Sequence, residues 1–179
     1  METSVGKPLK LNLGCGKRPL DGFTNVDFVA GVADVVHDLT QPLPFEGAEE
    51  IHAYHVFEHF YRWEADAILR NWVDTLKTGG LLVLELPCLD KVMAIFSHYA
   101  SKRIAVEPWV MWGLYGDPRY KDPAMCHRWA YTVGELSGMM RRAGLQVELK
   151  EAQTHVPHRD MRLEGRKNAI IQLPEGAVP

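Results

Sequence analysis

The chain has few cysteines, no long apolar run and no dense cluster of basic residues. Each of these absences argues against one class of protein. Its longest aliphatic run, residues 81–84, is far shorter than the ~20 residues that a membrane-spanning helix needs. The three cysteines, Cys15, Cys88 and Cys126, show no Cys-x-x-Cys spacing, so we expect free thiols in a reducing cytoplasm. The basic residues form no stripe of the kind that binds nucleic acid, so neither nucleic acid nor a membrane is an expected partner.

The rest of the composition is that of an ordinary folded domain. The 179 residues are 46% hydrophobic and 24% charged, with a formal net charge of −3. A chain of this size buries roughly 70% of its unfolded surface and folds as one domain. Strand-like and helix-like segments alternate, which is typical of an α/β fold. We predict strands near 9–13, 24–28, 34–37, 50–54, 81–86, 146–152 and 168–173.

Two segments carry the pattern of an amphipathic helix. Apolar residues recur at helical spacing over 65–76, and the glycines at 79–80 are expected to end that helix. A second helix begins with Thr132 and Glu135 at the spacing of a capping box and ends near Gly144.

The first predicted strand runs into the turn Gly14-Cys15-Gly16, and Asp27 lies eleven residues after Gly16. Glycines at such a turn let backbone groups approach a ligand that a Cβ would exclude. An acid at the end of the next strand is placed to accept hydrogen bonds from a ribose. Pro19 replaces the third glycine of the dinucleotide fingerprint, which favours a ribose-bearing ligand without a pyrophosphate.

Asp38 follows the third predicted strand and allows two interpretations. The side chain either forms an Asx turn or accepts a hydrogen bond from an exocyclic amine such as adenine N6. In the second case the backbone N–H of Leu39 faces a ring nitrogen.

The segment His55-Val56-Phe57-Glu58-His59 matches the His-x-x-Glu-His pattern of some zinc proteases. Two imidazoles four residues apart on a helix could hold a metal, but the motif follows the fourth strand directly and leaves little room for a helix. We therefore expect no metal. His55 is expected to line the ligand edge of the sheet, and His59 to face the cleft or cap a turn.

A further candidate is His127, in Cys126-His127-Arg128. It is either a structural histidine bonded to a loop carbonyl or a general base that faces a substrate. It ends a region, residues 87–131, that holds most of the aromatic residues. Prolines and glycines interrupt this region, so we expect short helices and ordered loops there.

Together these segments resemble the class I S-adenosylmethionine-dependent methyltransferases, in particular the small Methyltransf_11-like branch. The likeness covers about residues 8–90 and, less closely, 127–150. It implies an α/β, Rossmann-like methyltransferase fold with a mostly parallel seven-stranded sheet and an antiparallel last strand. The segments that carry it are Leu11–Gly16, Asn25–Asp27, His37–Leu39, Pro42–Phe45, His55–His59, Leu76–Gly80 and Ala143–Leu145.

The resemblance also implies S-adenosylmethionine as cofactor, lying across the carboxyl ends of the first strands. The glycine turn would face its methionine part, the acid after the second strand its ribose, and the residues after the third strand its adenine. The backbone after the fourth strand would meet its amino group. The cofactor-binding residues so implied are Gly14, Cys15, Gly16, Asp27, Phe28, Asp38, Leu39, Tyr54 and His55.

The sequence departs from the family pattern at two points. Asn12 stands where many of these enzymes begin the first motif with an acid. Only eight residues, 17–24, separate the glycine turn from the second strand, whereas a crossover with its helix takes at least ~10–12 residues. The first helix is therefore expected to be shortened or lost.

By this resemblance, residues 1–179 form a single methyltransferase domain. We divide it into a cofactor-binding half (8–90), a substrate or lid region (91–131), a C-terminal helix and strand pair (132–173) and a tail (174–179). The expected reaction is in-line methyl transfer to a small-molecule or glycan-like acceptor, in a monomer, a homo-oligomer or a hetero-oligomer.

The candidate general bases for this reaction are His59 and His127. Two alternatives stay open. One is a non-catalytic S-adenosylmethionine-binding subunit, and the less favoured other is a zinc hydrolase that uses His55, Glu58 and His59.

Overall fold

The computed structural model describes residues 8–168, and these contain one seven-stranded sheet in the order β3-β2-β1-β4-β5-β7-β6. The first five strands pair in parallel, and β7 is antiparallel to both β5 and β6. This confirms the expected α/β sheet with an antiparallel last strand. The strands are β1 (Lys10–Leu13), β2 (Thr24–Asp27), β3 (Val35–Val36), β4 (Ala48–Tyr54), β5 (Leu76–Pro87), β6 (Leu145–Lys150) and β7 (Asp160–Lys167).

The position predicted for the last strand was wrong. That strand occupies Asp160–Lys167 rather than 168–173, and residues 169–173 lie outside the described part of the chain. The true strand is rich in charges: Met161 and Leu163 are its only aliphatic residues, so it lacks the hydrophobic content used to find strands. It can lie inside the sheet because Arg162 contacts both Glu85 and Glu164, at 3.3 and 2.8 Å.

The connections between the first four strands contain no helix in this structure, which confirms the expected loss of the first one. Residues 14–23 form only turns between β1 and β2. Asn12 stabilises this short connection: its side-chain N–H donates to Asn25 Oδ1 at 2.9 Å and to the carbonyl of Arg18 at 3.2 Å. A buried amide therefore holds the base of the turn where the family pattern has an acid.

In the described part of the chain, four α-helices follow: α1 (Arg62–Thr75), α2 (Leu89–Ser101), α3 (Pro108–Tyr115) and α4 (Val133–Arg142). The apolar face of α1, centred on the fully buried Trp72, packs into the core beneath the sheet. This helix ends at Thr75, earlier than expected, because the chain is already extended at Leu76. The glycines at 79–80 instead lie in an irregular first part of β5, where the register against β4 shifts.

The helix predicted from Thr132 is confirmed. Thr132 is its N-cap, and the hydroxyl accepts the N–H of Glu135 at 3.1 Å. Gly144 follows the helix with φ = 94°, the left-handed conformation that glycine adopts without strain.

Residues 87–131 form α2, α3 and a 3-10 turn at Pro123–Met125, as the short helices and ordered loops predicted there. Two hydrogen bonds hold the region in place. Leu89 N–H donates to the carbonyl of Tyr131 at 2.8 Å and joins its two ends, and Arg159 Nη1 donates to the carbonyl of Trp109 at 2.9 Å and joins α3 to the residue before β7. Within residues 8–168, no helix is both long and apolar enough to cross a lipid bilayer.

Candidate functional site

The carboxyl ends of β1, β2 and β4 meet at one edge of the sheet, where ligands of parallel α/β sheets bind. The Gly14-Cys15-Gly16 turn leaves β1 at this edge. The N–H groups of Gly14 and Cys15 both donate to the carbonyl of Val26, at 2.8 and 3.2 Å. The turn is therefore fastened to the end of β2 by backbone bonds, and its position does not depend on its side chains.

The two glycines of the turn differ in what a side chain would meet at each position. Gly14 has φ = 65°, and a Cβ there would lie 2.4 Å from Val56 Cγ2. Gly16 has φ = 49°, and a Cβ there would meet no atom within 4 Å. Gly14 is thus required by packing, whereas Gly16 borders open space that a ligand can occupy. Cys15 is buried, and burial raises the pKa of its thiol, so it offers this edge its backbone rather than a thiolate.

Asp27 lies at the end of β2 and is 6% exposed. Its Oδ2 accepts the N–H of Gly16 at 2.8 Å, and its Oδ1 accepts the N–H of Val29 at 3.0 Å. Each carboxylate oxygen has a second lone pair, so these bonds orient the group and leave acceptor capacity for a hydroxyl. Phe28, the next residue, has 60% of its side chain exposed beside it.

Asp38 forms the Asx turn that was one of its two interpretations. Its Oδ1 accepts from the N–H of Thr40 at 2.9 Å and from the Thr40 hydroxyl at 2.8 Å. Its Oδ2 makes no hydrogen bond to any residue in the described part of the chain. The side chain of Leu39 is buried, and its carbonyl accepts the indole N–H of Trp72 at 3.3 Å. These bonds anchor the loop after β3 at the same sheet edge.

The chain turns sharply at His55, directly after β4. His55 has φ = 55°, and its N–H donates to the carbonyl of Glu85 at 2.8 Å. The Tyr54 hydroxyl lies 2.9 Å from His52 Nδ1. The strained conformation places the His55 ring below the edge of the sheet, among buried acids.

His55 lies between two carboxylates. Its Nδ1 is 3.2 Å from Glu58 Oε1, and its Nε2 is 3.0 Å from Asp160 Oδ2. Burial opposes the charge on this imidazole, but the contacts with Asp160 and Glu58 outweigh it and raise the pKa of His55. The same pairing lowers the pKa of Glu58, although burial alone would raise it.

The structure brings together the two predicted general bases, which are far apart in sequence. Arg128 N–H donates to the carbonyl of Glu58 at 2.8 Å and so holds the end of the aromatic region against the His55–His59 segment. The rings of His59 and His127 meet edge to face, with centroids 4.9 Å apart. His127 Nε2 is 3.7 Å from Glu58 Oε1. Burial lowers the pKa of His127, which favours its neutral, proton-accepting form.

The zinc hydrolase interpretation is not supported by this geometry. Residues Phe57–His59 form only a 3-10 turn, so His55 and His59 do not share the helix face that the zinc-protease motif requires. Both ring nitrogens of His55 instead contact carboxylates, those of Glu58 and Asp160.

Two residues of this site were missed by the sequence analysis. Asp160 starts the misplaced strand, is fully buried, and contacts both His55 and Arg159. His155 stacks on His55 with a centroid distance of 3.9 Å. Neither residue belongs to a local motif, and only the antiparallel pairing of β7 brings them to the site.

An apolar cleft of about 410 Å³ lies in the aromatic region, lined in part by Met111, Trp112, Tyr115 and Tyr120. It adjoins the histidine pair, because His127 N–H donates to the carbonyl of Tyr115 at 3.3 Å. A smaller cleft of about 310 Å³ lies at the amino-terminal ends of β1 and β2, the end of a parallel sheet where ligands are not expected.

No protein-family model and no curated protein sequence matches this chain. Solved structures do. A SAM-dependent methyltransferase from Methanosarcina mazei is 13% identical, with a TM-score of 0.62 over 90% of this chain and 93% of that one. Another from Archaeoglobus fulgidus is 13% identical, with a TM-score of 0.60 over 90% and 87%.

The magnesium protoporphyrin IX methyltransferase of Synechocystis PCC 6803, solved with bound S-adenosylhomocysteine (SAH), is 11% identical. Its TM-score is 0.58 over 91% of this chain and 76% of that one. These similarities show that the fold is the Rossmann-like fold of S-adenosylmethionine-dependent methyltransferases.

Proposed function

We propose that this protein is an S-adenosylmethionine-dependent methyltransferase that acts on a small-molecule or glycan-like acceptor. The observation that carries the proposal is the bond between Asp27 and the N–H of Gly16, at the carboxyl edge of a sheet with the methyltransferase strand order. The bond joins the two loops that would hold the sugar and the amino-acid end of the cofactor.

The cofactor would lie along this edge from β4 to β3. Its methionine part would face the turn at Gly14–Gly16, with its amino group near the backbone at 54–55. Asp27 would accept hydrogen bonds from the ribose, with Phe28 beside it. The free Oδ2 of Asp38 would accept the adenine amine, and the backbone at Leu39 would face the ring.

Methyl transfer requires little covalent chemistry from the protein. A nucleophilic atom of the acceptor attacks the methyl carbon, the carbon–sulfur bond breaks, and its electron pair stays on sulfur to give neutral S-adenosylhomocysteine. Alignment of the nucleophile, the methyl carbon and sulfur can contribute ~7–11 kcal/mol. The proton of the acceptor goes to a base, which contributes a further ~10²–10⁴-fold. His59 and His127 are our candidates for that base.

The cleft beside His127 supports a small acceptor. Its lining is aromatic and apolar, and aromatic faces pack against planar rings and against the apolar faces of sugars. Its volume of about 410 Å³ is in the range of ligand pockets, ~300–1,000 Å³.

A second candidate function is an S-adenosylmethionine-binding subunit of a hetero-oligomer without catalysis of its own. The turn-only connection at 14–23 favours it, because the flank of the cofactor that the first helix would cover is left for a partner.

A radiolabelled methyl donor with a panel of phenolic, sugar and amine acceptors separates these two functions. Labelled product together with released S-adenosylhomocysteine supports the enzyme. Binding of the donor by folded protein, without transfer to any acceptor, supports the subunit. Absence of donor binding contradicts both functions.

A further inference from the structure

We propose that Glu58, His59 and His127 form a binding site for one divalent transition-metal ion. This replaces the expectation of no metal. It also differs from the zinc-protease pattern, because His55 is not a ligand and the third ligand comes from the far end of the aromatic region.

The three side chains already converge. One ligand atom from each lies within 4.8 Å of the other two, and His127 Nε2 is 3.7 Å from Glu58 Oε1. Ligand atoms about 2.1 Å from a tetrahedral ion are roughly 3.4 Å apart. Closing the cluster therefore needs the ligand atoms to approach one another by at most about 1.4 Å.

Both imidazoles are oriented as metal ligands are. His59 Nδ1 lies 3.2 Å from the carbonyl of Cys126, and His127 Nδ1 lies 3.2 Å from the carbonyl of Gly113. A carbonyl only accepts, so each contact places the ring proton on Nδ1 and leaves the Nε2 lone pair free. Metal-binding histidines are commonly held in this way by a backbone carbonyl behind the ring.

Glu58 supplies an independent observation. The residue is 2% exposed, and neither carboxylate oxygen has a partner in hydrogen-bond geometry among the described residues. Glu58 Oε1 lies 3.2 Å from His55 Nδ1, which is a charged contact, and 3.7 Å from Nε2 of the neutral His127, which presents a lone pair there. A buried carboxylate without aligned donors is costly, and a cation bound to Glu58 would supply the partner that this geometry lacks.

The donor set indicates the class of metal. Two imidazole nitrogens and one carboxylate oxygen suit Zn²⁺, Co²⁺ or Mn²⁺, whereas Mg²⁺ and Ca²⁺ prefer oxygen-only sites. Three protein ligands leave a coordination position for water or for an oxygen of the acceptor, as in catalytic zinc sites. That catalytic use rests on the proposed function, but metal binding itself does not. An imidazole bound to the metal could not also act as the general base; the ion would instead lower the pKa of an acceptor hydroxyl bound to it, whose proton would leave to solvent.

The test is metal titration of the full-length protein after treatment with a chelator. Co²⁺ is followed by its visible absorption, and Zn²⁺ by competition with Co²⁺. We expect one ion per chain and nitrogen–oxygen coordination in the Co²⁺ spectrum. Since even outer-shell losses weaken metal binding ~10–100-fold, His59→Ala and Glu58→Gln should each weaken it at least ~100-fold. His59 is only partly buried, so its variant remains informative if Glu58→Gln does not fold.

Two controls separate this site from other donors. His98→Ala removes an exposed imidazole on α2, and Cys126→Ser removes the exposed free thiol next to His127; both should bind the ion as the unaltered protein does. The proposal is overturned if folded protein takes up neither Co²⁺ nor Zn²⁺, if His59→Ala/His127→Ala binds it undiminished, or if only Cys126→Ser loses it. S-adenosylmethionine titration of the same samples reports separately on the proposed function.

Discussion

The carboxylate of Asp27 accepts the backbone N–H of Gly16 across 2.8 Å, which joins the tip of β2 to the turn that leaves β1. Together with the backbone bonds from Gly14 and Cys15 to Val26, this bond fixes the position of the acid relative to the glycine turn. Substitution of Asp27 should therefore weaken mainly cofactor binding, whereas substitution of a glycine in the turn should mainly destabilise the fold.

Asp27→Ala should bind S-adenosylmethionine at least ~10-fold more weakly, because hydrogen bonds to a charged group contribute about 1.5–3 kcal/mol. Asp27→Asn is the matched control: its amide oxygen can still accept from Gly16, but the charge is lost. We expect an intermediate affinity for Asn when all three proteins are titrated by calorimetry. Equal affinities would remove Asp27 from the binding site.

Gly14→Ala should destabilise the fold. The substitution combines a positive φ, costing roughly 1–2 kcal/mol, with overpacking against Val56, costing roughly 1–3 kcal/mol. Gly16→Ala carries only the conformational cost, because the space around it is open. Urea denaturation should show a loss of about 3 kcal/mol for Gly14→Ala and about 1 kcal/mol for Gly16→Ala. The reverse order would contradict the roles assigned to the two glycines.

Whichever of His59 and His127 is the general base, its replacement by Ala should reduce turnover at saturating acceptor by ~10²–10⁴-fold and leave the affinity for S-adenosylmethionine unchanged. His98→Ala, on the exposed face of α2, is the control and should keep full turnover. Steady-state rates with an acceptor from the labelled screen measure this. Undiminished turnover in both variants would show that neither imidazole takes part in the reaction.

Glu85 should make stability depend on pH in the acid range. Burial would raise its pKa, but hydrogen bonds from Thr154, the N–H of Gln153 and Arg162 outweigh it and lower the pKa below the ordinary value of 4.5. The unfolded chain therefore binds more protons, and stability rises with pH. This contribution is complete above about pH 4.5 and is lost as the pH falls through the lowered pKa.

Glu85→Gln should reduce the free energy of unfolding at pH 7 by roughly 1–3 kcal/mol and flatten its decline between pH 5 and 3. Glu151→Gln, at an exposed position, should do neither. Urea denaturation across this pH range measures both effects. An unchanged slope in Glu85→Gln would show that other carboxylates control acid unfolding.

The parts of the fold that sequence predicted are those with local signals. The glycine turn and Asp27 lie within one β-turn-β unit, and the helix at Thr132 carries its own N-cap. The short spacing between the glycine turn and the second strand was enough to predict the missing helix. Each of these depends on neighbours a few residues apart.

The parts of the structure that the sequence did not predict depend on contacts between residues far apart in the chain. The strand at 160–167 has charged residues inside the sheet, and only their partners, such as Glu85 for Arg162, make that burial tolerable. The pairing of His59 with His127 similarly arises from the packing of the aromatic region on the 3-10 turn. No spacing in the chain encodes it, although each histidine was singled out.

The most direct test is calorimetric titration of the purified full-length chain with S-adenosylmethionine and with S-adenosylhomocysteine. We expect one binding site per chain for each nucleoside, with competition between the two. Folded protein that gives no binding heat and no competition at millimolar concentrations of either would contradict this expectation.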